Sequence, residues 1–86
     1  LVLGEIADKT TAEALMAAAG DTKEGTAPRN NAIGALGRMK VVAAVPLMEK
    51  LLSDAEPAVP GNAAIALYRI SGKKVKAFPE GYDAAE

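Results

Sequence analysis

Cysteine, histidine and tryptophan are all missing from the 86 residues, and two tyrosines and one phenylalanine are the whole aromatic complement. Without cysteine there is no disulfide, no thiolate nucleophile and no thiolate metal site. Without histidine there is no imidazole base for a serine or threonine nucleophile and no usual zinc ligand, so the common hydrolytic and zinc-enzyme constellations cannot be assembled from this chain. Catalysis would need carboxylates, lysine or a second chain. No apolar run approaches the roughly 20 residues of a membrane-spanning helix, and Leu1-Val2-Leu3 opens the chain without a charged leader, so neither a membrane partner nor a targeting signal is expected. Charge of neither sign dominates: 10 basic residues against 11 acidic ones leave a net −1, which removes the overall basic balance of a typical nucleic-acid binder.

What the chain does have is alanine, at 19 of 86 positions, within a 50% apolar composition. A core built from such small side chains favours closely packed helices, and the length suffices for one core only. The expectation is a soluble, cytoplasmic chain, and the opening in mid-pattern marks Leu1 as an expected cut point inside a longer protein.

An internal repeat organises the sequence. Asn31-Ala32-Ile33-Gly34-Ala35-Leu36-Gly37-Arg38-Met39 recurs 31 positions later as Asn62-Ala63-Ala64-Ile65-Ala66-Leu67-Tyr68-Arg69-Ile70. Leu3-Gly4-Glu5-Ile6 matches Leu36-Gly37-Arg38-Met39 at a spacing of 33, and the same shift carries Ala12, Leu15 and Asp21 onto Val45, Met48 and Asp54. Within each copy Ala32, Ala35, Leu36 and Met39, like Ala63, Ala66, Leu67 and Ile70, stand at i, i+3, i+4, i+7, the spacing of one helix face. Ala44, Leu47, Met48 and Leu51 form a second stripe, and Ala12, Leu15, Met16 and Ala19 a thinner one. Each repeat is therefore two helices.

The punctuation sets the boundaries. Thr10 and Glu13 have the spacing of a capping box, which predicts a helix from about Thr11 to Ala19 ended by Gly20-Asp21. Gly25 to Pro28 reads as a turn, with Pro28 in the first turn of a helix reaching about Met39. Pro46 places the next helix start near Ala43 or Ala44, and that helix ends near Ser53. Asp54 to Gly61 is a second turn, and a helix from about Pro60 to Ser71 closes at Gly72. The predicted architecture is all-α: an α-α superhelix, or right-handed α-solenoid, of antiparallel helix pairs spanning residues 1–72. It comprises a partial helix 1–7, one repeat at 8–39 and another at 41–71, with residues 73–86 as a tail that caps one end through Phe78 and Tyr82.

The run Ala-Val-Pro-Leu-Met-Glu-Lys-Leu-Leu-Ser-Asp from Ala44, a short turn, and then Asn62 to Ile70 resembles the HEAT repeats of the short class named after the phycobilisome lyases. The resemblance covers about residues 1–72. It implies a non-catalytic protein-binding scaffold without cofactor or metal; the alternatives are a bilin lyase subunit, to which the class name points, and a HEAT-like nucleic-acid binder. Such pairs bury their apolar faces only by stacking, and about three are usually needed, so end-to-end association of copies is expected. Relative to the family pattern, Val41-Val42 replaces the usual Asp-Pro, Val59-Pro60 replaces Val-Arg, and Arg29 keeps the usual basic position.

Candidate contacts for a protein partner follow. Arg29, Asn30, Arg38 and Arg69 would be polar contacts, and Val41, Val42 and Ile65, where related repeats are polar, an apolar rim. Asn31 and Asn62 share one repeat position, and the simplest expectation is that each amide bonds nearby backbone. Two apparent motifs fail on spacing. Ser71-Gly72-Lys73-Lys74 lacks the first glycine and the hydroxyl of a phosphate loop, and Asp21 to Gly25 lacks the bidentate acid of a calcium loop.

Overall fold

The structure, a computed structural model, describes residues 2–79 and 81, with side chains from residue 11 onward. Four helices and no strand form among them: α1 (Val2–Gly20), α2 (Thr26–Arg38), α3 (Val45–Leu51), introduced by a 3-10 turn at Val42–Ala44, and α4 (Ala58–Ser71). The all-α helix-pair architecture read from the sequence is the one observed.

Proline marks each helix start after the first. Pro28, Pro46 and Pro60 all lie in a first turn, where a backbone N–H has no intrahelical acceptor to lose. Pro46 thus starts α3 as expected, while α4 begins at Ala58, two residues before Pro60, because the ring is as well accommodated at the third position as at the first. One boundary is corrected. Thr10 is not a helix start; α1 runs unbroken through it, joining the predicted fragment 1–7 to the predicted helix 11–19. No proline or glycine stands between Glu5 and Ala19 to interrupt the backbone, so the capping-box spacing falls inside a helix.

The two closures differ in chemistry. Gly72 ends α4 with φ 76°, its N–H donating to the Tyr68 carbonyl at 2.7 Å. At the end of α2 it is Lys40 that takes the left-handed conformation, φ 54°, while the Lys40 and Val41 N–H groups donate to the Gly37 and Leu36 carbonyls at 3.1 and 3.2 Å. That pairing is the Schellman motif, whose apolar residue after the left-handed position folds under the helix; here it is Val41, packed against the core.

The second helices of the two repeats stack side by side. Ile33 and Leu36 of α2 and Val59, Ala63 and Leu67 of α4 meet Met48 and Leu51 of α3, with Ala19 of α1, in one buried cluster. Small residues set the spacing between α2 and α4: a β-carbon at Gly37 would lie 3.0 Å from the Ala66 Cα and 3.1 Å from its Cβ. Met39, placed on the apolar stripe by its spacing, is instead 42% exposed, because the helix ends at Arg38 and the stripe ends with it.

After Gly72 the chain folds back on α4. Val75 joins the core, the Phe78 ring meets Tyr68 edge-on at 5.3 Å, and the Lys74 ammonium stands 5.6 and 5.2 Å from the two ring centres. Pro79 Cγ lies 3.6 Å from where a β-carbon on Gly61 would be. A shift of 31 residues carries Gly37, the point where α2 meets α4, onto Tyr68. The tail therefore occupies the face of α4 that corresponds to the face of α2 on which α4 itself packs. Tyr82, the predicted partner of Phe78, lies outside the described residues.

Candidate functional site

The stacking of α2 on α4 leaves a groove of about 300 Å³ between them. From α2 it is lined by Asn30, Asn31, Gly34 and Arg38, and from α4 by Asn62, Ile65, Ala66 and Arg69. The positions repeat: Asn31 and Asn62, and Arg38 and Arg69, are the pairs related by 31 residues, so the helix stacking that builds the fold also sets like side chains next to one another. Among the described residues, those lining it include no acid and no aromatic.

The polar groups differ in what they already hold. Asn62 donates one amide N–H to the Ala58 carbonyl of its own helix at 2.7 Å, as expected of a helical asparagine. Asn30 Oδ1 is buried and has no hydrogen-bond partner. Asn31 and Arg38 are exposed and Arg69 half-buried. Gly34 forms the floor, where a β-carbon would meet nothing nearer than Arg38 Nη1 at 3.6 Å.

Four of the seven predicted contacts, Asn30, Arg38, Ile65 and Arg69, thus come together in one groove. The other three do not. Arg29 lies outside the groove lining: its side chain is 4% exposed and that of Asp54 10%. Its guanidinium forms two bonds to the Asp54 carboxylate, Nη1 to Oδ1 at 3.1 Å and Nη2 to Oδ2 at 2.6 Å, and Nε–H donates to the Ala19 carbonyl at 3.1 Å. One side chain therefore ties the end of α1, the start of α2 and the turn of the next repeat. The Asp54 hydrogen bonds from Arg29, then from the Glu56 N–H, hold its carboxyl below the usual carboxylate range, against the opposing effect of burial. The same pair raises the Arg29 guanidinium, burial again opposing.

Val41 is also outside the groove lining, half-buried against the core by the Schellman turn. Val42 is 72% exposed but lies in the connection between repeats, away from the groove lining. Asp21 makes the same local turn as Asp54, accepting the Lys23 N–H at 2.9 Å. The residue equivalent to Arg29 in α4 is Pro60, which has no donor, so the strut is not repeated there. Sequence reasoning missed the Arg29–Asp54 pair, although the sequence holds its signal: an arginine at a helix start and an acid in the next repeat's turn. Two other depressions, about 340 and 270 Å³, lie at the turn edge around Asp54, whose carboxylate is already committed to Arg29.

No helix among the described residues is long and apolar enough to cross a membrane. A family model described as HEAT repeats matches residues 1–67. No curated protein and no solved structure matches the chain.

Proposed function

We propose that this chain, which belongs to the HEAT-repeat family, is a non-catalytic protein-binding module that holds its partner in the groove between α2 and α4. HEAT repeats in general mediate protein–protein contacts. The observation that carries the reading here is the convergence of repeat-related polar side chains, Asn31 with Asn62 and Arg38 with Arg69, on one open groove rather than on the core. Repetition of a donor set at the spacing of the helices suits a chain laid across them.

Gly34→Trp tests this directly, because the new side chain fills the groove from a floor position with room for a β-carbon. With a display library of random peptides as probe, the natural chain and Val42→Ser should enrich binders. Gly34→Trp should lose them at least tenfold while keeping its helical circular dichroism. Equal enrichment by Gly34→Trp would remove the groove as the binding surface. The two alternatives have their own signatures in the same preparation: a lyase subunit mixed with bilin would show visible absorbance, and a nucleic-acid binder would shift on a gel with steep salt dependence.

Residues 73–86 are read as a cap. The support is the placement of Val75, Phe78 and Pro79 on the α4 face that corresponds to the stacking face of α2, together with the missing strut at Pro60. Residues 80 and 82–86 lie outside the described set. Phe78→Asp should lower stability by about 1–2 kcal/mol, since a half-buried ring is lost. It should also expose the end of the stack, so that sedimentation shows concentration-dependent end-to-end association. A variant that stays monomeric with an unchanged melting temperature would contradict the cap.

A further inference from the structure

We infer that Lys74 is a charge-dependent clasp of the C-terminal cap: its ammonium holds Tyr68 of α4 and Phe78 of the tail together, and the tail comes away from α4 when that charge is lost; this rests on residues 73–86 being the cap proposed above. The repeat is the first support. Tyr68 stands where the shift of 31 residues places Gly37, whose missing β-carbon lets α4 approach α2 closely. A ring at that position keeps a further helix from so close an approach and offers a flat apolar platform instead. What meets the platform is a strap without helix, residues 72–79, carrying Phe78 edge-on to Tyr68.

Ring geometry is the second. The two ring planes meet at 66° with their centres 5.3 Å apart, which makes a corner rather than a stack. The Lys74 ammonium stands over both rings, 5.6 Å from the centre of Tyr68 and 5.2 Å from that of Phe78, within the roughly 6 Å at which a ring face attracts a cation. One charge therefore touches both sides of the joint between helix and tail, and its removal costs both contacts at once. Lys73 and Lys76, its basic neighbours, are exposed and stand over neither ring.

The division of the holding contacts is the third. Val75 packs against the core and Pro79 lies beside Gly61, so apolar burial seats the strap whatever its charge. Lys74 is exposed, where a single ring contact shifts an equilibrium by about two- to fivefold. Two such contacts made by one ammonium give about tenfold, enough to move a short strap between closed and open without disturbing the buried cluster. An open strap uncovers the end of the stack, so the charge on Lys74 sets how often that apolar end is exposed.

The test uses the whole 86-residue chain and compares Lys74→Gln, Lys74→Arg and Lys73→Gln by amide hydrogen exchange. The Phe78 N–H, which donates to the Val75 carbonyl at 3.0 Å, reports the closed strap. Its exchange should quicken about tenfold in Lys74→Gln and stay near the natural rate in Lys74→Arg and Lys73→Gln, while the Leu67 amide inside α4 keeps its rate in all three. In proton spectra the Lys74 ε-methylene should lie upfield of those of Lys73 and Lys76, and Phe78→Leu should move it back toward them. A natural exchange rate in Lys74→Gln, or equal quickening in Lys74→Arg or Lys73→Gln, would overturn the clasp. The cap would still stand if Phe78→Asp lowers the melting temperature and associates. If Phe78→Asp does neither, cap and clasp are both overturned.

Discussion

Asp54→Ala is expected to lower the stability of the chain by about 3 kcal/mol, or roughly 10–20 °C in melting temperature for a domain of this size. The loss comes less from the attraction removed than from what remains: a guanidinium 4% exposed, with only the Ala19 carbonyl at 3.1 Å to satisfy it. A second change that removes the stranded charge should therefore recover part of the loss, so Asp54→Ala with Arg29→Met should be more stable than Asp54→Ala alone. Additive losses in that double-mutant cycle would show the pair to be uncoupled. The pair also sets an acid limit. Because the folded-state pKa of Asp54 is depressed, its contribution is complete above the unfolded carboxylate value of about 3.9 and disappears as the pH falls through the lower folded value. Asp54→Asn should lack that part of the acid transition. Arg29, raised from an already high pKa, stays charged throughout.

Gly37→Val is expected to cost about 3 kcal/mol, comparable to the loss of the strut but by a steric route. Its β-carbon alone would stand 3.0 Å from the Ala66 Cα, a backbone atom in the middle of α4 that cannot swing aside, and the two methyls would press the helices further apart. Gly34, one turn earlier on the same helix, is the control. Its β-carbon has room, so Gly34→Ala should stabilise by about 0.5–1 kcal/mol through helix propensity alone. Urea titrations of the two variants decide the matter: equal midpoints would mean that the spacing of α2 and α4 is not set by small residues. Widening that spacing should also weaken ligand binding, since the groove is the outer edge of the same contact.

Both effects bear on how far the sequence anticipates the structure. The 31-residue match and the helical spacing of alanine and leucine announce the helix pairs, because burial of a repeated apolar face demands them. Pro46 and Gly72 place an element start and an end through backbone chemistry that neighbours do not override. Thr10 misleads for the opposite reason: a capping signal is a weak preference, and with no proline or glycine from Ile6 to Ala18 nothing in the backbone stops the helix there. Among the candidate contacts, Arg38 and Arg69 are legible because position in the repeat fixes the helix face. Arg29 reads on its own as one more exposed cation. Only its reach across 25 residues to Asp54 shows it to be structural, and a long-range pairing leaves no periodic trace. Val41 is hidden in the same way, its packing against the core following from the left-handed turn at Lys40, which side-chain pattern does not reveal.

The groove between the stacked second helices is the centre of the functional account, and amide chemical-shift mapping tests it most directly. In a titration of the 15N-labelled chain with a peptide enriched from the display library, the largest shifts should fall on Asn31, Gly34 and Arg38 of α2 and on Asn62, Ile65 and Arg69 of α4, and the same map on Gly34→Trp should be flat. Shifts concentrated instead on Met39 to Ala43, or on the exposed side of α1, would place the binding surface elsewhere and contradict the account.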